Sequence, residues 1–200
     1  MAISVELIKE LRALTGAGMM DCKQALAEAN CDVTEATKIL RQKGLADLKK
    51  RSARVAKEGL VDSYIHGEGK IGVLVEVNCE TDFVARNGEF KQFAHDVAMQ
   101  IAAANPSYVR REDVPEDKIE SEKEIYKTQA MAEGKPEKIA ERIVEGKLVK
   151  FYQAVCLIEQ SFVKNPEITI EDYLGDLASK LGENIIISRF VRFQLGEASE

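Results

Sequence analysis

Ile71-Gly72-Val73-Leu74-Val75-Glu76-Val77-Asn78-Cys79-Glu80-Thr81-Asp82-Phe83-Val84-Ala85-Arg86-Asn87 begins with one hydrophobic period and leads into another. Ile71, Val73, Val75 and Val77 fall on one face of a strand. Beyond Asn87, the residues Phe90, Phe93, Ala94, Val97, Ala98, Ile101 and Ala102 recur at helical i, i+3, i+4 spacing. Upstream, Val61, Ser63 and Ile65 alternate with Asp62, Tyr64 and His66, and Gly67-Glu68-Gly69-Lys70 has the composition of a hairpin connection. Two strands joined by a tight hairpin, then a helix, with no β-α-β alternation, predict an α+β fold with an antiparallel sheet. At the junction an acid stands beside a phenylalanine. Phe83 is either folded under the helix that follows or offered to a partner; Phe90 and Phe93 already supply apolar bulk to that helix.

Working outward, the N-terminal unit reads as all-helical, three short helices in about 45 residues. Val5, Leu7, Ile8, Leu11 and Leu14 form a helical stripe behind a Ser4 cap. Thr15-Gly16-Ala17-Gly18 permits a sharp turn. Cys22, Ala25, Leu26 and Ala29 make the next apolar face. Asp32 with Glu35 reads as a capping box for a third helix, with Gly44 as its C-cap. Lys49, Lys50, Arg51, Arg54 and Lys57 read as a basic helical linker. The second unit mixes strand and helix. Asn105-Pro106 stops the helix after the junction, a charged helix is predicted over 116–133, and Pro136 opens another. Tyr173 to Leu181 predicts a last helix closed by Gly182, and Ile185 to Leu195 a last strand, giving a three-stranded sheet.

Two hundred residues suffice for one or two small domains with a real core. No apolar run approaches the roughly 18 residues that a membrane span needs, and acids by Glu6 argue against a secretory signal. These features point to the cytoplasm. Cys22, Cys31, Cys79 and Cys156 have no CxxC spacing, and only His66 and His95 could join them, so they read as reduced apolar side chains with no metal to hold. Net charge is −6, divided as +4 over residues 1–57 and −10 over the rest, which suggests two units with different surfaces. An acidic chain is a poor general nucleic-acid binder.

Gly67-x-Gly69-x-x-Gly72 spells the dinucleotide fingerprint, but it lies between two strand patterns rather than between a strand and a helix N-terminus. It reads as a hairpin. No GxxxxGK[ST] occurs, and no other pattern implies a cofactor. His95-Asp96 could be a general base with its acid, but no nucleophile accompanies it, and a surface histidine is the better reading. The basic run lacks the interleaved aromatics that single-strand readers use, so a solvated face is favoured over RNA binding. Met19-Met20 follows a glycine-rich turn. Both cannot face a small helical core, so the pair is either one core and one incidental side chain or an adaptable contact surface.

Thr15-Gly16-Ala17-Gly18-Met19-Met20-Asp21-Cys22-Lys23, with Ala25-Leu26 following, resembles the N-terminal signature of translation elongation factor Ts. Glu76 to Ala85 is similar to the second signature of that family. Gly182-Glu183-Asn184-Ile185 and Arg189-Phe190-Val191-Arg192-Phe193 resemble its C-terminal strand. Together the motifs cover essentially the whole chain, in order. The resemblance implies a three-helix N-terminal domain like ubiquitin-associated domains over residues 1–54, and an α+β core and dimerisation domain over 55–200. It implies an exchange factor, not an enzyme, whose partner is GDP-bound elongation factor Tu. Arg12, Met19 and Met20 would contact the partner's nucleotide-binding domain. Thr81, Asp82, Phe83 and Val84 would dislodge the partner's Mg²⁺. Longer members duplicate the core and carry an inserted helical hairpin. One core unit marks this chain as a short form, which implies a homodimer and a two-plus-two complex.

Two rival readings are an enzyme using His95, Asp96 or other carboxylates, and a helical adaptor binding ubiquitin-like or nascent-chain partners through residues 1–45. The first lacks a nucleophile. The second leaves the junction at 78–87 without a purpose.

Overall fold

The computed structural model describes residues 3–51, 53–134 and 136–197, with the side chains of Arg41 and residues 44–51 left undescribed. The side-chain reading of the basic run at Lys49, Lys50 and Arg51 therefore lies outside the described residues. Backbone proximity groups the chain into two compact units. One holds the residues up to Gly59 with Asn78–Phe90 and Leu174–Ile186; the other holds Leu60–Val77, Lys91–Tyr173 and the chain from Ile187.

In the first unit, α1 (Val5–Thr15), α2 (Met19–Glu28) and α3 (Val33–Arg51) form the helical bundle expected of a ubiquitin-associated-like domain. Ser4 caps α1, its Oγ accepting from the Leu7 N–H at 3.2 Å. Gly16 ends it at φ +68°, a conformation that favours glycine. Asp32 Oδ1 accepts from the Glu35 N–H at 3.0 Å and starts α3. Ile8, Leu11, Cys22, Ala25, Leu26, Ala29, Ala36 and Leu40 make the core. Two expectations are corrected. Val5 and Leu14 are exposed, because a short helix buries only the stripe its two neighbours cover. Gly44 does not end α3, which runs on to Arg51; one glycine costs a helix only about 1 kcal/mol.

The first unit also takes in α4 (Asp82–Ala85), the start of α5 (Gly88–Ala104), and most of α8 (Ile170–Leu181). Gly182, at φ +77°, turns the chain out of α8.

The three-stranded antiparallel sheet has the order β1-β2-β5, from β1 (Glu58–His66), β2 (Ile71–Cys79) and β5 (Ile186–Gln194). Gly67, Glu68 and Gly69 all take positive φ in the β1–β2 turn, so the apparent dinucleotide fingerprint is a hairpin. Val73, Val75 and Val77 of β2 are buried, as are Phe93, Ala94, Val97, Ala98 and Ile101 of α5. The period change read from the sequence is thus a change of element that keeps one apolar side inward throughout.

The second unit also contains α6 (Glu116–Ala132) and α7 (Glu137–Val155), a helical hairpin tied by Lys147 Nζ to Gln129 Oε1 at 2.7 Å. A small hairpin, β3 (Ser161–Phe162) and β4 (Asn165–Thr169), was not expected from the sequence. Phe162 and Phe93 meet on the ring of Tyr173, with centroids at 5.1 and 4.9 Å. Among the described residues, no helix is long and apolar enough to cross a membrane.

Candidate functional site

The strand β2 ends at Cys79 and α4 starts at Asp82, so the chain turns a corner in two residues. Thr81 is extended, at φ −128° and ψ 152°, and caps α4 by accepting from the Val84 N–H at 3.4 Å. Its hydroxyl also donates to Glu183 Oε1 at 2.6 Å. The buried thiol of Cys79 lies 3.1 Å from the Thr81 carbonyl oxygen, to which it donates. Burial, and then the negative Glu183, push that thiol up to about 11.

Within α4 the sequence sorts inside from outside. Val84 is buried and anchors the turn, whereas Phe83 is 81% exposed. Asp82 sits in the first turn, where a negative charge suits the helix N-terminus, and pairs with Arg86 at 2.9 Å. Thr81, Asp82, Phe83 and Val84 thus lie on one short turn, held by the Thr81 hydrogen bonds and the burial of Val84. Of the two readings left open for Phe83, the ring is out in solvent, while Phe90 and Phe93 are fully buried. A single exposed aromatic is ordinary. This one differs because both flanks of its turn are tied down.

The second candidate group lies on the helical bundle. Arg12 and Met19, with Lys9 and Ala13, line one groove on its surface. Met20 is 74% exposed and Met19 39%, so neither methionine belongs to the buried core of the bundle. The pair is available as a soft contact surface.

His95 and Asp96, adjacent in sequence, do not act together. His95 Nδ1 lies 3.2 Å from Asp62 Oδ2, and its ring meets Tyr64 edge-on at 5.6 Å. Asp96 is buried and satisfied by Lys164 at 2.6 Å, Gln92 at 2.9 Å and the Tyr173 hydroxyl at 3.2 Å. Neighbours on a helix point about 100° apart, and this separation sends the two to different partners. Among the described residues, no group of three or more His, Cys, Asp and Glu side chains could hold a metal ion.

Sequence reasoning missed Glu183 and Asn184 as parts of the site. Both were visible only as the lead-in to the last strand. Nothing in their spacing shows that they reach residues 80 and 81, about a hundred positions earlier.

An α+β protein with a three-helix bundle at its N-terminus and an aromatic ring held out on a buttressed turn is the class these features define. A family model described as elongation factor TS matches residues 5–197. Proteins named elongation factor Ts are similar along nearly their whole length. That of Carboxydothermus hydrogenoformans is 62% identical, covering 98% of this chain and 90% of its own. That of Thermoanaerobacter sp. (strain X514) is 60% identical over 99% and 97%. That of Caldanaerobacter subterraneus subsp. tengcongensis is 58% identical over 99% of both. The chain belongs to the elongation factor Ts family.

Proposed function

We propose that this chain is the guanine-nucleotide exchange factor for elongation factor Tu, acting in the cytoplasm by binding alone. The observation that carries the reading is the exposed ring of Phe83 on a turn whose neighbours are fixed. In a P-loop GTPase, the loop and Mg²⁺ together hold the phosphates. A wedge need not touch nucleotide to release it. It need only bind better to a partner conformation in which the Mg²⁺ site is distorted. Phe83 supplies that wedge, Asp82 stands beside it, and Thr81 and Val84 hold the pair in place. Arg12, Met19 and Met20 dock the bundle on the partner's nucleotide-binding domain. Residues 1–54 and 55–200 are the two functional parts. The chain makes and breaks no bond and uses no cofactor, nucleic acid or membrane. Linkage is reciprocal: if the factor weakens GDP binding, GDP weakens factor binding equally, and incoming GTP can expel it.

The working form is a homodimer carrying two copies of the partner. Supporting this, one face of the sheet displays Val61 and Ile65 of β1, Leu74 of β2, and Val191 and Phe193 of β5, all exposed. The common face follows from two contacts. A Cβ at Gly72, two residues from Leu74, would meet Ile65 Cδ1 at 3.4 Å. Arg189, two residues from Val191, pairs with Glu76 of β2 at 2.7 Å. An apolar sheet face of this kind suits a self-complementary contact.

The test is Phe83→Ala, followed by stopped-flow release of a fluorescent GDP from elongation factor Tu. Stimulated release slows by about tenfold or more, as for an interface hot spot. Release at the wild-type rate would remove Phe83 from the mechanism.

A further inference from the structure

The corner between β2 and α4 poses a local problem. The N–H groups of Glu80 and Thr81 lie where the strand ends and the helix has not begun, so each needs a partner from elsewhere. Glu183 provides it. Its Oε2 accepts from the Glu80 N–H at 3.0 Å and from the Thr81 N–H at 3.1 Å. Its Oε1 accepts from the Thr81 hydroxyl at 2.6 Å. That hydroxyl in turn accepts from the Val84 N–H. A line of hydrogen bonds therefore runs from Glu183 through Thr81 to the residue following Phe83.

The exchange is mutual. Glu80 Oε1 accepts from the Asn184 N–H at 2.7 Å, and Asn184 Nδ2 donates to the Arg54 carbonyl at 2.8 Å. The Arg54 guanidinium lies 3.4 Å from the same Glu80 oxygen. Two carboxylates, one from each segment, each cap the backbone of the other. Arg54, read from the sequence as part of a solvated basic run, closes the arrangement. Bonds to an ionised carboxylate are roughly twice as strong as neutral ones. They fall here on the two residues whose backbone torsions aim α4.

We propose that Glu183 is a positioning residue for nucleotide exchange: it fixes the direction in which the Thr81–Val84 turn presents Phe83. The inference rests on the reading of Phe83 as the wedge, and its test separates the two. The chain contains no tryptophan, so Phe83→Trp gives a single reporter on the turn itself. Its fluorescence anisotropy is measured without any partner, alone and combined with Glu183→Gln or Glu183→Ala. Gln keeps one acceptor oxygen and no charge, whereas Ala keeps neither. Anisotropy falls in the order Glu, Gln, Ala. Equal anisotropy in all three overturns the proposal, whatever happens to exchange.

The second arm is GDP release from elongation factor Tu over a range of factor concentrations. With Glu183→Ala the maximal rate drops about tenfold, the loss of charge-assisted bonds expressed as a ratio. The half-saturating concentration moves by about twofold or less, because the bundle still docks. On a Phe83→Ala background, Glu183→Ala adds no further loss, since it acts through the same ring. Additive losses overturn the proposal. If anisotropy falls but Phe83→Ala itself exchanges at the wild-type rate, the wedge reading fails and with it the role of Glu183 in exchange, while its ordering of the turn stands. Thermal melts of both Glu183 variants accompany the assays. Should Ala not fold, Gln carries the test with a smaller loss in the same direction.

Discussion

Phe83 and Val84 are adjacent, comparable in apolar character, and opposite in fate. The rotation of about 100° between neighbouring positions of α4 is enough to bury the smaller and expose the larger. Leaving a Phe ring in water forgoes about 2 kcal/mol of burial, so the fold gains nothing from Phe83 where it stands. Cys79 tells the complementary story beneath the same turn. Its thiol is held neutral by burial and by Glu183, up to about 11. The sign of the linkage follows. A thiol raised in the folded state leaves stability untouched below its unfolded value near 9, and stability is lost as pH rises toward and through about 11. At pH 8 the native thiolate fraction is about a hundredfold below that of the unfolded chain. Alkylation of Cys79 by iodoacetamide at pH 8, followed by peptide mass spectrometry, is therefore at least about a hundredfold slower in the native protein than in urea. Equal rates would show that the corner is open to solvent.

At the scale of elements, the β2–α4–α5 passage explains which parts of the structure were legible in advance. Residues Ile71–Val77 and Phe90–Ala102 declare themselves because each keeps one apolar face over several repeats, and the structure buries those faces. The β3–β4 hairpin did not, because strands of two and five residues offer too few alternations to detect. Gly44 carries a stop signal, yet α3 runs on to Arg51, because one glycine costs a helix only about 1 kcal/mol. The exposure of Phe83 could not be decided from local chemistry, since either fate fits a strand-to-helix corner. The buttress at Glu183 was invisible because it depends on a contact between distant segments. Two aromatics ten residues apart make the distinction measurable. Phe93 is fully buried in α5 and stands edge-on to Tyr173, so Phe93→Ala costs about 3–5 kcal/mol in urea unfolding. Phe83→Ala, with nothing to unpack, changes stability by about 0.5 kcal/mol or less. The inverse pattern would place Phe83 in the core and withdraw it from any partner.

For the whole molecule, the two sites demand different things. The bundle surface at Arg12, Met19 and Met20 and the turn at Phe83 both belong to the first unit, whereas the exposed sheet face belongs to the second. In the proposed homodimer, a second copy supplies the contact surface that a single core lacks. Phe193, at 69% exposed on β5, is the largest apolar side chain on that face. In the proposed dimer, a charge placed there meets its own image across the two-fold contact, so one substitution acts twice. Phe193→Glu therefore yields a monomer by light scattering at concentrations where the wild type is dimeric. Because the side chain is exposed in the single chain, the circular dichroism of that monomer matches the wild type, and its melting loses only the concentration-dependent part that dimerisation adds. The monomer retains Phe83 and its buttress, so saturating amounts still release GDP, but the concentration needed rises about tenfold or more as half the partner contact is lost. A variant that stays dimeric, or a wild type that is monomeric, would move the interface off this face and leave the apolar residues of the sheet to another partner.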